Sequence, residues 1–158
     1  LSYYDRAGTV VDGRPAFANA EDKANEEATR QAIEAAWGAE LKRYGGHFDA
    51  IDWYAVKGGK IAAHVEVKAR SHDASKYPTV FLNFRKWHSL LMAWQYTGKP
   101  SLFVVRFQDS IRWIDVSRVD ARRIRMGGCS RIVKAKSDIE PVIEIPIAEM
   151  KVLGGPKQ

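Results

Sequence analysis

The stretch from Asp52 to Arg70, DWYAVKGGKIAAHVEVKAR, constrains this chain more than any other. Two β-prone runs, His47 to Val56 and Ile61 to Arg70, flank a Gly58-Gly59 centre, which is the composition of a hairpin. Side chains alternate along a strand, so Glu66 and Lys68 share one face while Val65 and Val67 point to the opposite, apolar face. A charged pair within an otherwise apolar strand is costly to bury unless it is paired or holds a metal ion. An Asp on the preceding strand can supply a second carboxylate. Two carboxylates converging beside a lysine suit a hard divalent cation.

Register decides which Asp that is. A two-residue Gly58-Gly59 turn sets Val56 opposite Ile61, Asp52 opposite Val65 and Asp49 opposite Lys68. A three-residue loop or one bulge brings Asp52 against Glu66 instead. Glycines at the turn make such an irregularity cheap. Asp52 is the favoured ligand and Asp49 its rival.

The 158 residues suit one compact domain, with 46% hydrophobic residues to form a core. Residues 1–20 read as a loop-like N-terminal segment. A helix is expected from about Glu21 to about Tyr44, with Ile33, Trp37 and Leu41 at helical spacing and Gly45-Gly46 as its end. Ser71 to Thr79 reads as a polar loop. Phe84 to Tyr96 reads as a second helix, with Trp87, Leu90, Leu91 and Trp94 on its core side. Ser101 to Phe107 and Ile111 to Val116 form two further strands. Residues 117–158 read as a basic extension with one late strand, Pro141 to Ile147. The order of elements implies an α/β fold with a mixed sheet and helices on its faces.

An Asp, a Gly-centred hairpin and Glu66-x-Lys68, preceded by a Glu-bearing helix, resemble the PD-(D/E)XK nuclease superfamily, in particular phage-type nucleases and Holliday-junction resolvases. The resemblance spans roughly residues 24 to 116. No Pro precedes Asp52 or Asp49; Ile51 and Phe48 stand there. The resemblance implies a restriction-endonuclease-like αβββαβ core with a mixed central sheet flanked by helices. It implies that Asp52 and Glu66, with the Val67 carbonyl, ligate Mg²⁺ or Mn²⁺, and that Lys68 positions the attacking water. It also implies DNA as substrate, a helix Glu near the metal, and a homodimer that pairs two active sites. Glu26 lies seven and eleven residues before Ile33 and Trp37, on their face, and so points inward more than Glu27.

Arg70 continues the Glu66 and Lys68 face and suits a phosphate; Arg85 and Lys86 open the second helix and suit one as well. Tyr77 offers a ring for base stacking. Against these stand plainer readings: a salt-bridge cluster on the hairpin, solvated helix ends, and a loop aromatic that only anchors. His64 reads as structural, and His47, His72 and His88 lack metal-ligand spacing. The 25 Lys and Arg against 19 Asp and Glu favour a polyanionic partner, and Arg118, Arg122, Arg123, Arg125 and Arg131 add a basic run. By charge alone, a non-catalytic nucleic-acid-binding module is the alternative to a nuclease. An acid/base enzyme using the same carboxylates is weaker still, since no Gly-rich nucleotide loop is present. One cysteine, Cys129, excludes an intramolecular disulfide and fits a reducing cytoplasm, in a prokaryotic cell or phage-infected host. No apolar run is long enough to span a bilayer.

Overall fold

The computed structural model describes residues 10–11, 14–15, 20–45, 51–127 and 140–154. His47, Asp49, Cys129 and Arg131 lie outside the described residues. In chain order the elements are β1 (Val10–Val11), β2 (Arg14–Pro15), α1 (Ala20–Trp37), β3 (Glu40–Arg43), β4 (Trp53–Lys57) and β5 (Lys60–Ala69). They continue with β6 (Thr79–Asn83), α2 (Phe84–Thr97), β7 (Ser101–Arg106), β8 (Ile111–Asp115), β9 (Ile124–Gly127), β10 (Glu140–Pro146) and β11 (Lys151–Val152).

Six strands form a mixed sheet in the order β11-β8-β7-β5-β4-β3. Its parallel pair is β5 with β7, joined through α2; the other neighbours are antiparallel. A parallel pair needs such a crossover, because no tight turn can return the chain in the same direction. Each face of the sheet carries its own core. Ile33 of α1 packs with Leu41, Trp53, Ala55, Val65 and Val104 on one side. Trp87 and Leu90 of α2 pack with Phe103, Val105 and Ile114 on the other.

Several stretches depart from the sequence expectation: Val10–Val11 pairs with Arg14–Pro15 inside the segment expected to be loop, and residues 117–158 hold β9 and β11 beside the one strand expected, because each finds a partner strand. The first helix ends at Trp37 rather than near Tyr44, because Gly38 adopts φ 60° and closes the last turn through a bond from its N–H to the Glu34 carbonyl. Glu40 to Arg43 then pair with β4 as an edge strand, with Leu41 still buried; the Leu41 N–H donates to Glu34 Oε1 at 2.8 Å. Good helix formers there are overruled by tertiary pairing. The strand entering the hairpin begins at Trp53, later than expected. Finally, Thr79 to Asn83 form a strand and, with β10 and β9, make a second, three-stranded sheet in the order β6-β10-β9. Val80, Leu82, Ile143 and Ile145 of this sheet bury themselves against α2 and the main sheet. Trp94, expected in the core, is 39% exposed.

The hairpin carries the bulge that register required. Lys57 faces Lys60 and Val56 faces Ile61 around Gly58-Gly59, but Ala55 faces Ala63, so Ala62 is the extra residue. Trp53 consequently faces Val65, and one further step aligns Asp52 with Glu66. Gly58 and Gly59 have φ of 58° and 74°, the positive pair that a tight turn matched to strand twist demands. Replacing Gly59 by Val is expected to destabilise the fold by about 1–3 kcal/mol in urea unfolding, whereas Gly59→Asn costs much less, since Asn tolerates that conformation. Equal losses for the two variants would show that the backbone angle is not what selects glycine.

Candidate active site

Glu66 occupies the middle of β5, the strand between β4 and β7. In the parallel register it lies beside Phe103, on the face covered by α2. Its side chain is 1% exposed. Asp52, in the residue just ahead of β4, reaches the same place from the neighbouring strand but remains 35% exposed. One ammonium joins them: Lys86 Nζ lies 3.2 Å from Asp52 Oδ1 and 3.3 Å from Glu66 Oε2. Glu66 Oε1 is buried with no hydrogen-bond partner.

Lys86 reaches this position because β6 runs directly into α2 and delivers the helix's first turn over β5. Asn83 caps the helix, accepting from the Arg85 N–H at 2.8 Å. That first turn contains no acidic residue but holds Arg85 and Lys86, whereas the positive end of a helix dipole favours acids. The two carboxylates supply the missing negative charge from outside the helix. Sequence reasoning placed Lys86 with the phosphate contacts and missed its seat between the carboxylates. The usable signal was the basic first turn.

The setting perturbs Glu66. Burial, and next the negative charge of Asp52, push the Glu66 carboxyl up to about 7, while Lys86 and then Lys68 pull the other way. Lys86 is held above its ordinary value: burial disfavours its charge, but Glu66 and Asp52 more than offset that.

Asp52, Val67 and Lys68 also line an open cleft of about 460 Å³ on the side of α1, together with Asn25, Glu26, Thr29, Arg43 and Trp53. Glu26 therefore borders the same space as Asp52 and Lys68, while Glu27 faces outward and pairs with Arg30. Glu26 is ion-paired with Arg43, whose guanidinium lies 4.4 Å over the Trp53 ring. Arg43 was not singled out from the sequence. Among the described residues, no three His, Cys, Asp or Glu side chains converge as a metal cage. The donors that meet here are the two carboxylates, an all-oxygen pair that suits a hard ion completing its shell with water. The partnerless Glu66 oxygen and the cation already seated between the carboxylates both fit such an ion.

His64 is structural. It is buried, and its Nδ1 lies 2.7 Å from the Tyr44 hydroxyl and its Nε2 2.9 Å from Thr97 Oγ1. Thr97 donates its own proton to the Ala93 carbonyl, so it accepts from His64, which leaves Nδ1 to accept from Tyr44. A neutral ring satisfies both bonds, and burial lowers its tendency to protonate. The bonds tie β5 to the end of α2. Arg70 turns back onto the Ala69 and Phe81 carbonyls at 3.2 and 3.4 Å, which occupies much of the guanidinium expected to meet phosphate. Arg85 is exposed on the α2 start. Tyr77 is 51% exposed, edge-on to His72 with Lys76 over its ring. In the basic run, Arg122 pairs with Asp120, Arg123 with Glu149 and Arg125 with Glu144.

The family described as phage putative PDDEXK endonuclease matches residues 12–153. The chain belongs to that family. Its fold is the restriction-endonuclease-like one: the solved structure of Hjc, a Holliday junction resolvase from Archaeoglobus fulgidus, superposes with a TM-score of 0.52 at 16% identity, over 80% of this chain and 84% of that one. No curated protein matches the sequence significantly. Among the described residues, no helix is long and apolar enough to cross a membrane.

Within this nuclease family member, the Glu66 carboxyl carries a measurable signature. It keeps its proton to higher pH when folded than the ordinary value of 4.5, so the folded state binds more protons and loses stability as pH rises from about 4.5 through about 7. In EDTA, urea unfolding of Glu66→Gln against the wild type is expected to diverge in the variant's favour by about 3 kcal/mol between about pH 4 and about pH 8. A difference that stays constant across that range contradicts a protonated, buried Glu66.

Proposed function

We propose that this chain is a divalent-metal-dependent nuclease that hydrolyses DNA phosphodiester bonds. The observation that carries the reading is the meeting of Asp52 and Glu66 from adjacent strands around a single cation position, with a buried Glu66 oxygen left to coordinate. Asp52, Glu66 and the Val67 carbonyl would hold Mg²⁺ or Mn²⁺. Such an ion supplies Lewis-acid stabilisation of the phosphate and acidifies water for attack.

The remaining roles belong to side chains around the cleft. Lys68, next along the face of β5 and a lining residue of the cleft, orients the attacking water and offsets charge growing on the phosphate. Glu26 stands across the cleft and, through its pair with Arg43, positions that wall rather than ligating the ion. Arg85 and Tyr77 are accessible for phosphate and base contacts at the substrate surface, and Arg70 contributes there to a lesser degree because the backbone holds it. The positive formal charge of +6 draws in a polyanion.

Plasmid DNA incubated with Mg²⁺ is expected to be cut, and EDTA to stop the reaction. Asp52→Asn and Glu66→Gln are each expected to lower the rate on the order of 10³-fold, since several kcal/mol of charge stabilisation depends on the ion they hold. Lys68→Ala is expected to lower it on the order of 10²–10³-fold with Mg²⁺ affinity unchanged. Either carboxylate variant cutting at the wild-type rate sinks the assignment. Salt-sensitive DNA binding without any metal-dependent cutting would make the chain a non-catalytic nucleic-acid-binding module instead.

A further inference from the structure

Two carboxylates bridged by one ammonium, one of them almost wholly buried, need a counter-charge whenever both are ionised, because an unpaired buried charge is strongly destabilising. Lys86 provides it, with its ammonium within 3.3 Å of an oxygen from each. The seat is unfavourable for the helix itself, since α2 then begins with two cations and no acid. The side chain is 25% exposed, so it lies at the mouth of the site and not sealed beneath it. Its flexible four-carbon stem can carry the charge outward. A divalent ion drawing on the same Asp52 and Glu66 oxygens and the ammonium between them exclude one another by charge and by space.

We propose that Lys86 is a resident counter-cation: it holds the carboxylate pair together without metal, gives up that place when a divalent ion binds, and then presents its charge to the phosphate of DNA. This rests on the metal-binding reading of Asp52 and Glu66. It has a consequence by linkage. A phosphate that draws Lys86 outward lowers the cost of metal entry, and metal that expels Lys86 strengthens the phosphate contact, so the two ligands bind with positive coupling. Lys86 is thus a positioning and competing group toward the metal, and a substrate contact only after release.

The test reads metal binding and lysine accessibility, not cleavage. Mg²⁺ is titrated calorimetrically into the wild type and into Lys86→Met across a series of alkaline buffers, and the comparison is made where affinity no longer changes with pH. Removing the competitor is expected to tighten Mg²⁺ binding on the order of 10-fold or more. In parallel, the wild type is acetylated with and without Mg²⁺ and Lys86 modification is followed by mass spectrometry. Mg²⁺ is expected to raise the Lys86 rate several-fold, relative to Lys60 on the distant hairpin turn. Equal or weaker Mg²⁺ binding in the variant, or Lys86 labelling that Mg²⁺ leaves unchanged, overturns the counter-cation role while the metal site stands. If the variant fails to fold, the wild-type labelling decides alone. A wild type that binds no Mg²⁺ removes the metal reading and this inference together.

Discussion

Burying the Glu66 carboxylate in the middle of a six-stranded sheet is the constraint around which the neighbouring elements are arranged. A strand flanked on both sides by others, with Val65 and Phe103 fully enclosed nearby, offers little solvation to a charge. Asp52 makes matters worse by repulsion, and the upward displacement of the Glu66 carboxyl measures how incompletely Lys86 and Lys68 compensate. Replacing a buried ionic group by an apolar one of similar size is often neutral or stabilising. A chain that keeps two acids here is therefore retaining something stability does not ask for. Cation binding is a sufficient physical reason, because it converts the desolvation cost into affinity.

The fold supplies the geometry through three separate devices. The Ala62 bulge shifts β4 against β5 by the one residue that aligns Asp52 with Glu66. The parallel pairing of β5 with β7 forces a crossover, and the crossover helix α2 necessarily lies over the face from which Glu66 projects. The short second sheet then fixes where α2 begins, since β6 leads into it and is itself held by β10. His64, bonded to Thr97 at the far end of α2, pins the other end to the same strand. Glu66 and Lys86 are thus related through a rigid frame rather than through a loop, which keeps an ammonium and a carboxylate in register to within hydrogen-bonding distance.

How far this was legible from sequence depended on the range of the interactions. The hairpin is local: period-two alternation, the Gly58-Gly59 turn and the Glu66-x-Lys68 spacing are all written within nineteen residues, and the choice between a regular turn and a bulge could be posed before any coordinates. The inward aspect of Glu26 relative to Glu27 was equally a matter of helical phase. Glu40 to Arg43 misled because their intrinsic preference is helical, and only the pairing with β4 makes them a strand. Thr79 to Asn83 were missed for a related reason. A five-residue run between a polar loop and a helix gains its strand character from β10, some sixty residues later. Lys86 meeting Asp52 and Glu66 is longer-ranged still, spanning 34 and 20 residues, and no periodicity encodes it.

Net charge was the weakest guide of all, and the ion pairs explain why. The formal +6 describes the field at a distance, which steers a polyanion whether or not individual charges are paired. Contact is another matter. Arg122, Arg123 and Arg125, the obvious basic run, each hold an acid of their own, so a phosphate arriving there must first break an existing pair. Arg43 and Arg125 are alike here, each paired with an acid and each 4.4 Å over an aromatic ring, so the cleft is set apart by its open volume beside Asp52. Its cations, Arg43 and Lys68, stand with Asp52 and Glu26 around an open volume large enough for a phosphodiester, and the Arg43 guanidinium is braced by an indole ring as well as by an acid. A guanidinium held over a ring loses less freedom on meeting an anion than one waving in solvent. In the proposed nuclease, placing a backbone would therefore fall to Arg43 and Lys68, because they border an open volume beside Asp52, while the arginines elsewhere would contribute long-range attraction.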